Sequence, residues 1–179
     1  GRFDFVTLIS DRTRNFVPIF DAVLTAILIP NLRVESPGIL FNREKVDLLV
    51  FPELSLTGYV LQDLVPAVAH RPSPDDPIFA KLLKASHRLD LMVGFVDEDS
   101  RHRFYIASAY LSGGRVLHIH HKVYLPTYGL FDEGRFFAWG NAVQAFDTRF
   151  GRLGILICED FWHVSPPYLL WLDGADLFL

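Results

Sequence analysis

The segment Leu153-Gly154-Ile155-Leu156-Ile157-Cys158-Glu159-Asp160 is an apolar run that ends abruptly in a thiol and two carboxylates. A continuous apolar run of this kind is typical of a strand that is buried on both faces of a sheet. Cys158 is the only cysteine of the chain, so it cannot form an internal disulfide and is either a small core residue or a reactive thiol. The end of this strand is therefore the first candidate for a reactive site.

Two other apolar runs end in the same way. Asp47–Pro52 leads into Glu53, and Arg115–His121 leads into Lys122. Ligands of open α/β sheets bind at the carboxyl ends of the strands. We therefore expect the fold to bring the carboxylate of Glu53, the ammonium of Lys122 and the thiol of Cys158 together.

Around these runs, short apolar stretches alternate with turn signals. Strands are predicted at Phe3–Ile9, Asp47–Phe51, Leu89–Val96, Phe104–Leu111, Arg115–His121, Ala142–Phe146, Arg152–Ile157 and Asp176–Leu179. Helices are predicted at Pro77–Arg88 and Pro166–Leu172, and hairpin turns at Ser112-Gly113-Gly114 and Arg149-Phe150-Gly151. This order indicates an α/β fold of mixed sheets with helices outside them.

The stretch Asp11–Lys45 gives no such pattern, because prolines interrupt it and no amphipathic helix of ordinary length fits. It leaves two candidates for the first strand, Phe5–Ile9 and Thr25–Ile29.

The composition fits one compact domain over residues 1–179. Half of the residues are hydrophobic and the formal net charge is -4, which suits a sizeable core and argues against a nucleic-acid-binding surface, since such surfaces are usually basic. No run reaches the roughly 18 apolar residues of a membrane helix, and the longest candidate, Ala22–Leu32, contains Pro30. With no recognisable secretory signal and no disulfide framework, we expect a cytoplasmic protein without membrane or nucleic-acid partners.

An acid, a cation and a thiol are sufficient for acyl transfer without histidine. A neighbouring cation such as Lys122 favours the reactive thiolate form of Cys158. Glu53 can accept the thiol proton and later deliver it to a leaving amine. The ammonium and the backbone N–H of Glu159 can stabilise the negative charge that builds up on an attacked amide or nitrile.

Each of the three residues also has a purely structural interpretation. Taken alone, Cys158 is more often a buried core residue, Glu53 a turn carboxylate and Lys122 a solvated strand end. The joint pattern favours a site, because Glu and Lys are rarely buried unless they are paired.

Three blocks of the sequence resemble the nitrilase (carbon–nitrogen hydrolase) superfamily. Phe51-Pro52-Glu53-Leu54-Ser55-Leu56-Thr57-Gly58-Tyr59 is similar to its first catalytic block, His121-Lys122-Val123-Tyr124-Leu125-Pro126 to its lysine block, and Gly154-Ile155-Leu156-Ile157-Cys158-Glu159-Asp160 to its nucleophile block. The order and the spacings match, and the resemblance covers roughly residues 47–179. It implies a four-layer α-β-β-α sandwich that commonly pairs into dimers, so we expect a homo-oligomer.

Two further details resemble the glutamine-hydrolysing domains of glutamine-dependent NAD synthetases. These are Gly58-Tyr59 followed by Gln62-Asp63-Leu64, and the stretch from Tyr124 to Phe137. The resemblance implies that Glu53 is the general base, Lys122 the transition-state cation and Cys158 the nucleophile.

The resemblance also implies roles for residues around the three. Glu133 matches a second glutamate that positions the lysine and the substrate. Tyr128 and Phe131 are expected near the substrate entrance, Glu159 directly after the nucleophile with its N–H toward the substrate, and Trp162 just past it.

The chain departs from the family pattern in three places. Tyr105 is followed by Ile106 where members typically carry Asn, and the region before Asp47 looks shortened. The family domain continues for roughly a hundred residues more, a size consistent with a larger domain. The sequence therefore predicts a fold that is incomplete at its C-terminus, with an open edge that recruits other chains.

Other chemistries are less well supported. His118 and His120 would share one face of a strand while His121 points away, and two histidines without a third ligand make a weak zinc site. A papain-like pair would use Cys158 with a distant histidine, since His163 is close in sequence, and the cysteine blocks of that family are not seen. No Gly-rich phosphate loop is present, so we expect neither a metal nor a cofactor.

Two classes of function follow. The first is a cysteine-dependent amidohydrolase that acts on the non-peptide C–N bond of a small amide, with glutamine and ammonia release as the leading case and nitriles or N-carbamoyl amides as alternatives. The second is a catalytically incompetent fragment that acts through association with another chain. The active-site chemistry is shared within the superfamily, so the three residues do not select the substrate.

Overall fold

The computed structural model describes residues 5–7 and 47–179. Within these ranges the strands are β1 Phe5–Thr7, β2 Leu48–Val50, β3 Asp90–Glu98, β4 Phe104–Ser112, β5 Arg115–His121, β6 Phe146–Thr148, β7 Gly151–Gly154 and β8 Leu177–Phe178. The α-helices are α1 Pro77–Ala85, α2 Glu133–Phe136 and α3 Ser165–Leu172, and short 3-10 helices lie at Gln62–Ala67 and Cys158–Trp162.

The larger sheet has the order β1-β2-β3-β4-β5, and the smaller has the order β6-β7-β8. In the larger sheet, β1, β2 and β3 are parallel, while β3, β4 and β5 form an antiparallel meander. Two antiparallel steps make β5 run in the same direction as β2. The chain therefore leaves β2 and β5 at the same edge of the sheet, which is the reason that Glu53 and Lys122 can meet.

The hydrophobic clusters give the order of the layers. Phe79 and Leu82 of α1 pack on one face of the larger sheet, against side chains such as Leu91. The other face of that sheet packs against the smaller sheet, with Tyr110 and Leu153 in one cluster. On the far side of the smaller sheet, Leu170 of α3 contributes to a third cluster, and it lies so close to Gly154 that a Cβ there would come within 2.6 Å of its side chain. The described residues thus form the helix-sheet-sheet-helix order that the resemblance implies.

The start of α1 and the turn between β4 and β5 follow directly from their residues. Asp76 caps α1, since its carboxylate accepts hydrogen bonds from the backbone N–H groups of Ile78 and Phe79, each at 2.9 Å. Gly113 and Gly114 form the hairpin turn with φ values of 58° and 78°, a left-handed pair that glycine adopts without strain.

The predicted strand Ala142–Phe146 is wrong in its bounds, because pairing begins only at Phe146 and continues to Thr148. The N–H of Ala145 donates to the carboxylate of Asp173 at 2.8 Å instead of to a neighbouring strand. Strand pairing therefore does not include Ala145. The predicted strand Arg152–Ile157 is assigned as β7 only to Gly154, although the N–H of Leu156 still donates to the carbonyl oxygen of Leu179 at 2.8 Å. The predicted helix Pro77–Arg88 ends at Ala85.

The other predicted strands, the second helix and both hairpin turns have counterparts within a few residues of the predicted bounds. Of the two candidates for the first strand, β1 lies within Phe5–Ile9 and pairs with β2, whereas Thr25–Ile29 and the rest of Asp11–Lys45 fall outside the described residues. No helix in the described ranges is long and apolar enough to cross a membrane.

Candidate active site

Glu53 lies in the loop after β2, and this loop crosses β3 at Gly94. A Cβ on Gly94 would lie 2.4 Å from the carbonyl oxygen of Pro52, so only glycine allows the close approach. Ser55 fixes the crossing with its hydroxyl, which accepts from the N–H of Gly94 and donates to the carbonyl oxygen of the same residue, both at 3.1 Å.

Lys122 is the centre of the site. It directly follows β5, its side chain is 0% exposed, and Nζ donates to Oε1 of Glu53 at 2.7 Å. On its other side, Nζ lies 3.0 Å from Oε1 and 2.9 Å from Oε2 of Glu133. A buried lysine is rare unless it is paired, and here one ammonium faces two carboxylates.

The pKa values of both Lys122 and Glu53 are raised, for different reasons. Burial lowers the pKa of Lys122, but the attraction and hydrogen bonds of Glu53 and Glu133 outweigh burial and raise it overall. Burial raises the pKa of Glu53, Lys122 opposes this, and repulsion from Glu133 adds to the rise. A glutamate with a raised pKa is a stronger proton acceptor than an ordinary one, as a general base requires.

Cys158 begins the 3-10 helix that follows β7, and its backbone has a φ of 48°. The residue is exposed, and its thiol lies close enough to Glu53 and Lys122 for both to shift its pKa. The left-handed backbone conformation is uncommon for a residue with a side chain and is a feature of strained functional turns. The structure thus brings the three predicted residues together, with Glu53 bound to Lys122 and the thiol of Cys158 within the electrostatic influence of both.

The pKa of the thiol departs from the sequence-based expectation. Loss of water around Cys158 and repulsion from Glu53 raise its pKa, and the opposing effect of Lys122 does not compensate. The expected thiolate is therefore not favoured at rest. The proton stays on sulfur until Glu53 removes it.

Glu133 opens α2 and is 4% exposed. It accepts a hydrogen bond from the phenol of Tyr59 through the same oxygen that faces Lys122. Burial and this carboxylate raise the pKa of Tyr59, so the phenol stays protonated and acts as a donor. The sequence analysis quoted Tyr59 as part of a motif but did not assign it to the site.

Three aromatic rings form a rim beside these charges. Phe131 packs edge-on against Tyr59 and Tyr128, with ring centroids 6.1 Å and 5.9 Å apart. The hydroxyl of Tyr128 donates to Glu159 at 2.9 Å, which ties the rim to the residue after Cys158. Trp162 is 79% exposed, and no ring contact or hydrogen bond joins it to the rim within the described part of the chain.

Asp160 was missed by the sequence analysis, although its side chain is 0% exposed and accepts four hydrogen bonds. One of them comes from Nε2 of His120 at 2.9 Å. The sequence did contain one indication of its role, because Asp160 is an acidic residue two positions after the thiol, directly after a run that is predicted to be buried.

The three histidines of β5 are divided among different partners. His118 stacks on Phe146 with ring centroids 4.4 Å apart, and burial lowers its pKa to about 4. His120 faces the same side and binds Asp160, whereas His121 faces the other side and binds Asp97 at 2.7 Å. Among the described residues, no group of three His, Cys, Asp or Glu side chains could hold a metal ion.

Two sheets packed between helices, with charged residues at the carboxyl ends of their strands, are the architecture of the nitrilase superfamily. The carbon-nitrogen hydrolase family profile matches residues 15–179, and the chain belongs to this family.

Curated relatives within that family include glutamine-dependent NAD(+) synthetases. The glutamine-dependent NAD(+) synthetase of Acinetobacter baylyi is 33% identical over 126 residues, which are 69% of this chain and 23% of that protein. The enzyme of the same name from Thermotoga maritima is 35% identical over 123 residues, covering 68% of this chain and 21% of that protein. The chain therefore spans about a quarter of the length of the curated relatives it matches.

Solved structures agree with the fold. Glutamine-dependent NAD+ synthetase from Acinetobacter baumannii matches with a TM-score of 0.60 at 32% identity, over 74% of this chain and 25% of that chain. A carbon-nitrogen hydrolase from Helicobacter pylori matches with a TM-score of 0.68 at 17% identity, over 97% of this chain and 57% of that one.

Proposed function

We propose that residues 1–179 belong to a single cysteine-dependent amidohydrolase domain that cleaves the non-peptide C–N bond of a small amide. The observation that carries this proposal is the fully buried ammonium of Lys122, held between two carboxylates. Removing charges from water costs free energy that pairing in the interior often does not recover. The buried position of the ammonium therefore favours a catalytic role over a purely stabilising one. The thiol of Cys158 is electrostatically coupled to one of these carboxylates, Glu53, which is the proposed acceptor of its proton.

The first half of the proposed reaction forms a thioester. Glu53 takes the proton of Cys158, and the sulfur attacks the amide carbon of the substrate. The negative charge moves to the carbonyl oxygen, which Lys122 and the backbone N–H of Glu159 stabilise. Glu53 then gives its proton to the leaving nitrogen, the C–N bond breaks, and ammonia departs.

The second half returns the enzyme to its starting state. Water loses a proton to Glu53 and attacks the thioester carbon, the C–S bond breaks, and the sulfur of Cys158 regains a proton from Glu53. The products are a carboxylic acid and ammonia. Glu133 and Tyr59 keep the ammonium of Lys122 in place throughout, and Tyr128 and Phe131 border the substrate entrance.

Glutamine is the proposed substrate. Support comes from the relatives, which are named as glutamine-dependent NAD(+) synthetases and exceed 30% identity over two thirds of this chain. We propose a cytoplasmic protein with no metal or cofactor in this site, because the chemistry is complete with a thiol, a carboxylate and an ammonium.

We also propose that copies of the chain associate through the outer face of α3. Leu170 points inward from this helix and is buried, whereas several large apolar side chains of α3 and of the segment just before it are exposed. Those of α3 are Tyr168, Leu169, Trp171 and Leu172, and those before it are Trp162 and Val164. A contiguous apolar face of this kind marks an interaction surface, and the proposed occupant is the same face of a second copy.

An ammonia-release assay over several substrates tests the function. The panel holds glutamine, short amides, nitriles and N-carbamoyl amino acids, and Cys158→Ala is assayed beside the unchanged chain. We expect release from glutamine above the other compounds and none from the variant. Preferential turnover of a nitrile or carbamoyl compound would replace the proposed substrate. No turnover at concentrations where the chain is associated would favour the incompetent fragment.

A further inference from the structure

The carboxylate of Asp160 lies between the loop that carries Lys122 and the turn that carries Cys158. Its Oδ1 accepts from the backbone N–H groups of Val123 and Tyr124, each at 2.9 Å. Its Oδ2 accepts from Nε2 of His120 at 2.9 Å and from the N–H of Ile157 at 3.2 Å. One buried side chain therefore holds two segments that are distant in sequence.

The partners of Asp160 flank the reactive residues on both sides. Lys122 sits in the chain between His120 and Val123, and Cys158 sits between Ile157 and Asp160 itself. The reactive side chains remain free for chemistry, while the main chain around each is fixed to the same carboxylate.

The turn at Cys158 requires such support. Its φ of 48° is sparsely populated for a residue with a side chain and persists only where surrounding contacts enforce it. Asp160 enforces it twice, through its carboxylate to the N–H of Ile157 and through its own N–H to the carbonyl oxygen of Ile157 at 3.0 Å.

Asp160 is ionised in this position. Burial raises its pKa, but the hydrogen bonds from His120 and from backbone N–H groups outweigh burial and lower the pKa overall. A fully buried carboxylate with four donors is well satisfied, so it is a rigid anchor.

We propose that Asp160 is a positioning residue that fixes the distance between the ammonium of Lys122 and the thiol of Cys158, with His120 as its side-chain link to β5. This inference rests on the proposed function. It predicts that the effects of Asp160 and Lys122 on the reactivity of Cys158 are coupled, so that Asp160 matters less once the charge of Lys122 is removed.

A double-mutant cycle on thiol alkylation tests the inference without any substrate. Iodoacetamide reacts with the single cysteine, and intact mass follows the reaction. In Asp160→Asn, the amide oxygen can still accept from Val123 and Tyr124, but the NH2 group cannot accept from Ile157. We expect alkylation to slow about tenfold, the size typical of coupled neighbours.

The second arm of the cycle removes the charge of the lysine. Lys122→Gln keeps an N–H donor for Glu53 and should itself slow alkylation, because the thiolate loses its cation. Adding Asp160→Asn to Lys122→Gln should then slow alkylation by clearly less than the tenfold seen with Lys122 present, since the positioned ammonium is gone and only the support of the Cys158 turn is lost.

The neighbouring pair of His121 and Asp97 provides a matched control. It is also a histidine–carboxylate contact, at 2.7 Å, but it lies on the opposite face of β5. Asp97→Asn should leave the alkylation rate unchanged in both backgrounds. If Asp160→Asn does not fold, His120→Leu takes its place in the cycle, and His120→Gln, which keeps a donor, should restore part of the rate.

The outcomes separate the two proposals. If Lys122→Gln alone leaves alkylation unchanged, the proposed function fails. If Lys122→Gln slows alkylation but the effect of Asp160→Asn or His120→Leu is undiminished in its presence, the three residues of the function stand and the positioning inference is overturned.

Discussion

At the scale of single residues, the site is an arrangement of charges around Lys122. Burial and repulsion from Glu133 raise the pKa of Glu53, although the ammonium of Lys122 opposes them. The thiol of Cys158 also has a raised pKa, because burial and then repulsion from Glu53 disfavour its anion. The resting state is therefore a neutral thiol beside a basic carboxylate, and proton transfer starts when a substrate carbonyl accepts the sulfur.

Changing Glu53 to Gln tests its role as the base. Glu53→Gln keeps the shape of the side chain and its contact with Lys122 but cannot carry a proton between sulfur, nitrogen and water. We expect slow formation of an acyl-enzyme and almost no steady-state ammonia release, measured by intact mass and by ammonia assay on the same samples. Full turnover by this variant would exclude Glu53 as the base.

Changing Lys122 tests the cation. Lys122→Ala should lower turnover by ~10²–10³ or more, because an oxyanion donor of this kind is worth about that much. Lys122→Arg should not rescue, since a planar guanidinium does not fit a fully buried position shaped for a compact ammonium. The measurement is kcat/KM for ammonia release, with folding checked by denaturant unfolding. Near-normal activity in the Arg variant would show that only the charge matters and not its position.

At the scale of elements, the direction of β2 and β5 places the site. Both strands point to one edge of the sheet, and the chain leaves them directly into Glu53 and Lys122. Strand ends are visible in a sequence as apolar runs that stop at a charge, which is why these two residues and Cys158 could be predicted. Register and loop crossings, such as the approach of Pro52 to Gly94, are not visible in the same way.

Tyr59 and Asp160 could not be predicted because their partners are far away in sequence. Tyr59 meets Glu133 across 74 positions, and Asp160 meets His120 across 40. No local periodicity encodes such pairs. The misplaced start of β6 has a similar cause, since a side chain 28 positions away captures the N–H of Ala145.

The cap of α1 gives an element-scale prediction. Asp76→Ala removes the acceptor for the N–H groups of Ile78 and Phe79 and should lower the free energy of unfolding by about 1 kcal/mol. Asp75→Ala, at the exposed preceding position, is the matched control and should change stability by less than about 0.5 kcal/mol. Urea unfolding of both variants measures the difference, and equal effects would show that the cap does not stabilise the helix.

At the scale of the whole molecule, the four layers were implied by the resemblance and are present in the described residues. The large apolar side chains on the outer face of α3 are exposed. The chain also matches only about a quarter of its curated relatives' length. The expectation of a C-terminally incomplete fold stays a prediction. The proposed association would cover this apolar face with a second copy of the chain.

Association through α3 has a direct test. Trp171→Glu, at a side chain that is 63% exposed, should shift the chain toward monomer in sedimentation at low micromolar concentration. Leu64→Glu is a matched control, 60% exposed on the helix Gln62–Ala67, and should sediment like the unchanged chain. We expect ammonia release to follow the associated fraction. A fully active monomer, or no shift in the Trp171 variant, would contradict association through this face.

The central claim is that Cys158 carries the substrate as a thioester. Acid-quenched intact mass spectrometry during turnover of glutamine measures this directly, on the unchanged chain and on Cys158→Ala. The variant should fold with a loss of only about 1–2 kcal/mol in stability. The account predicts a glutamyl adduct on the unchanged chain, located at Cys158 by peptide mapping, with neither adduct nor ammonia from Cys158→Ala. Ammonia release by Cys158→Ala, or turnover by the unchanged chain through an adduct on another residue, would contradict it.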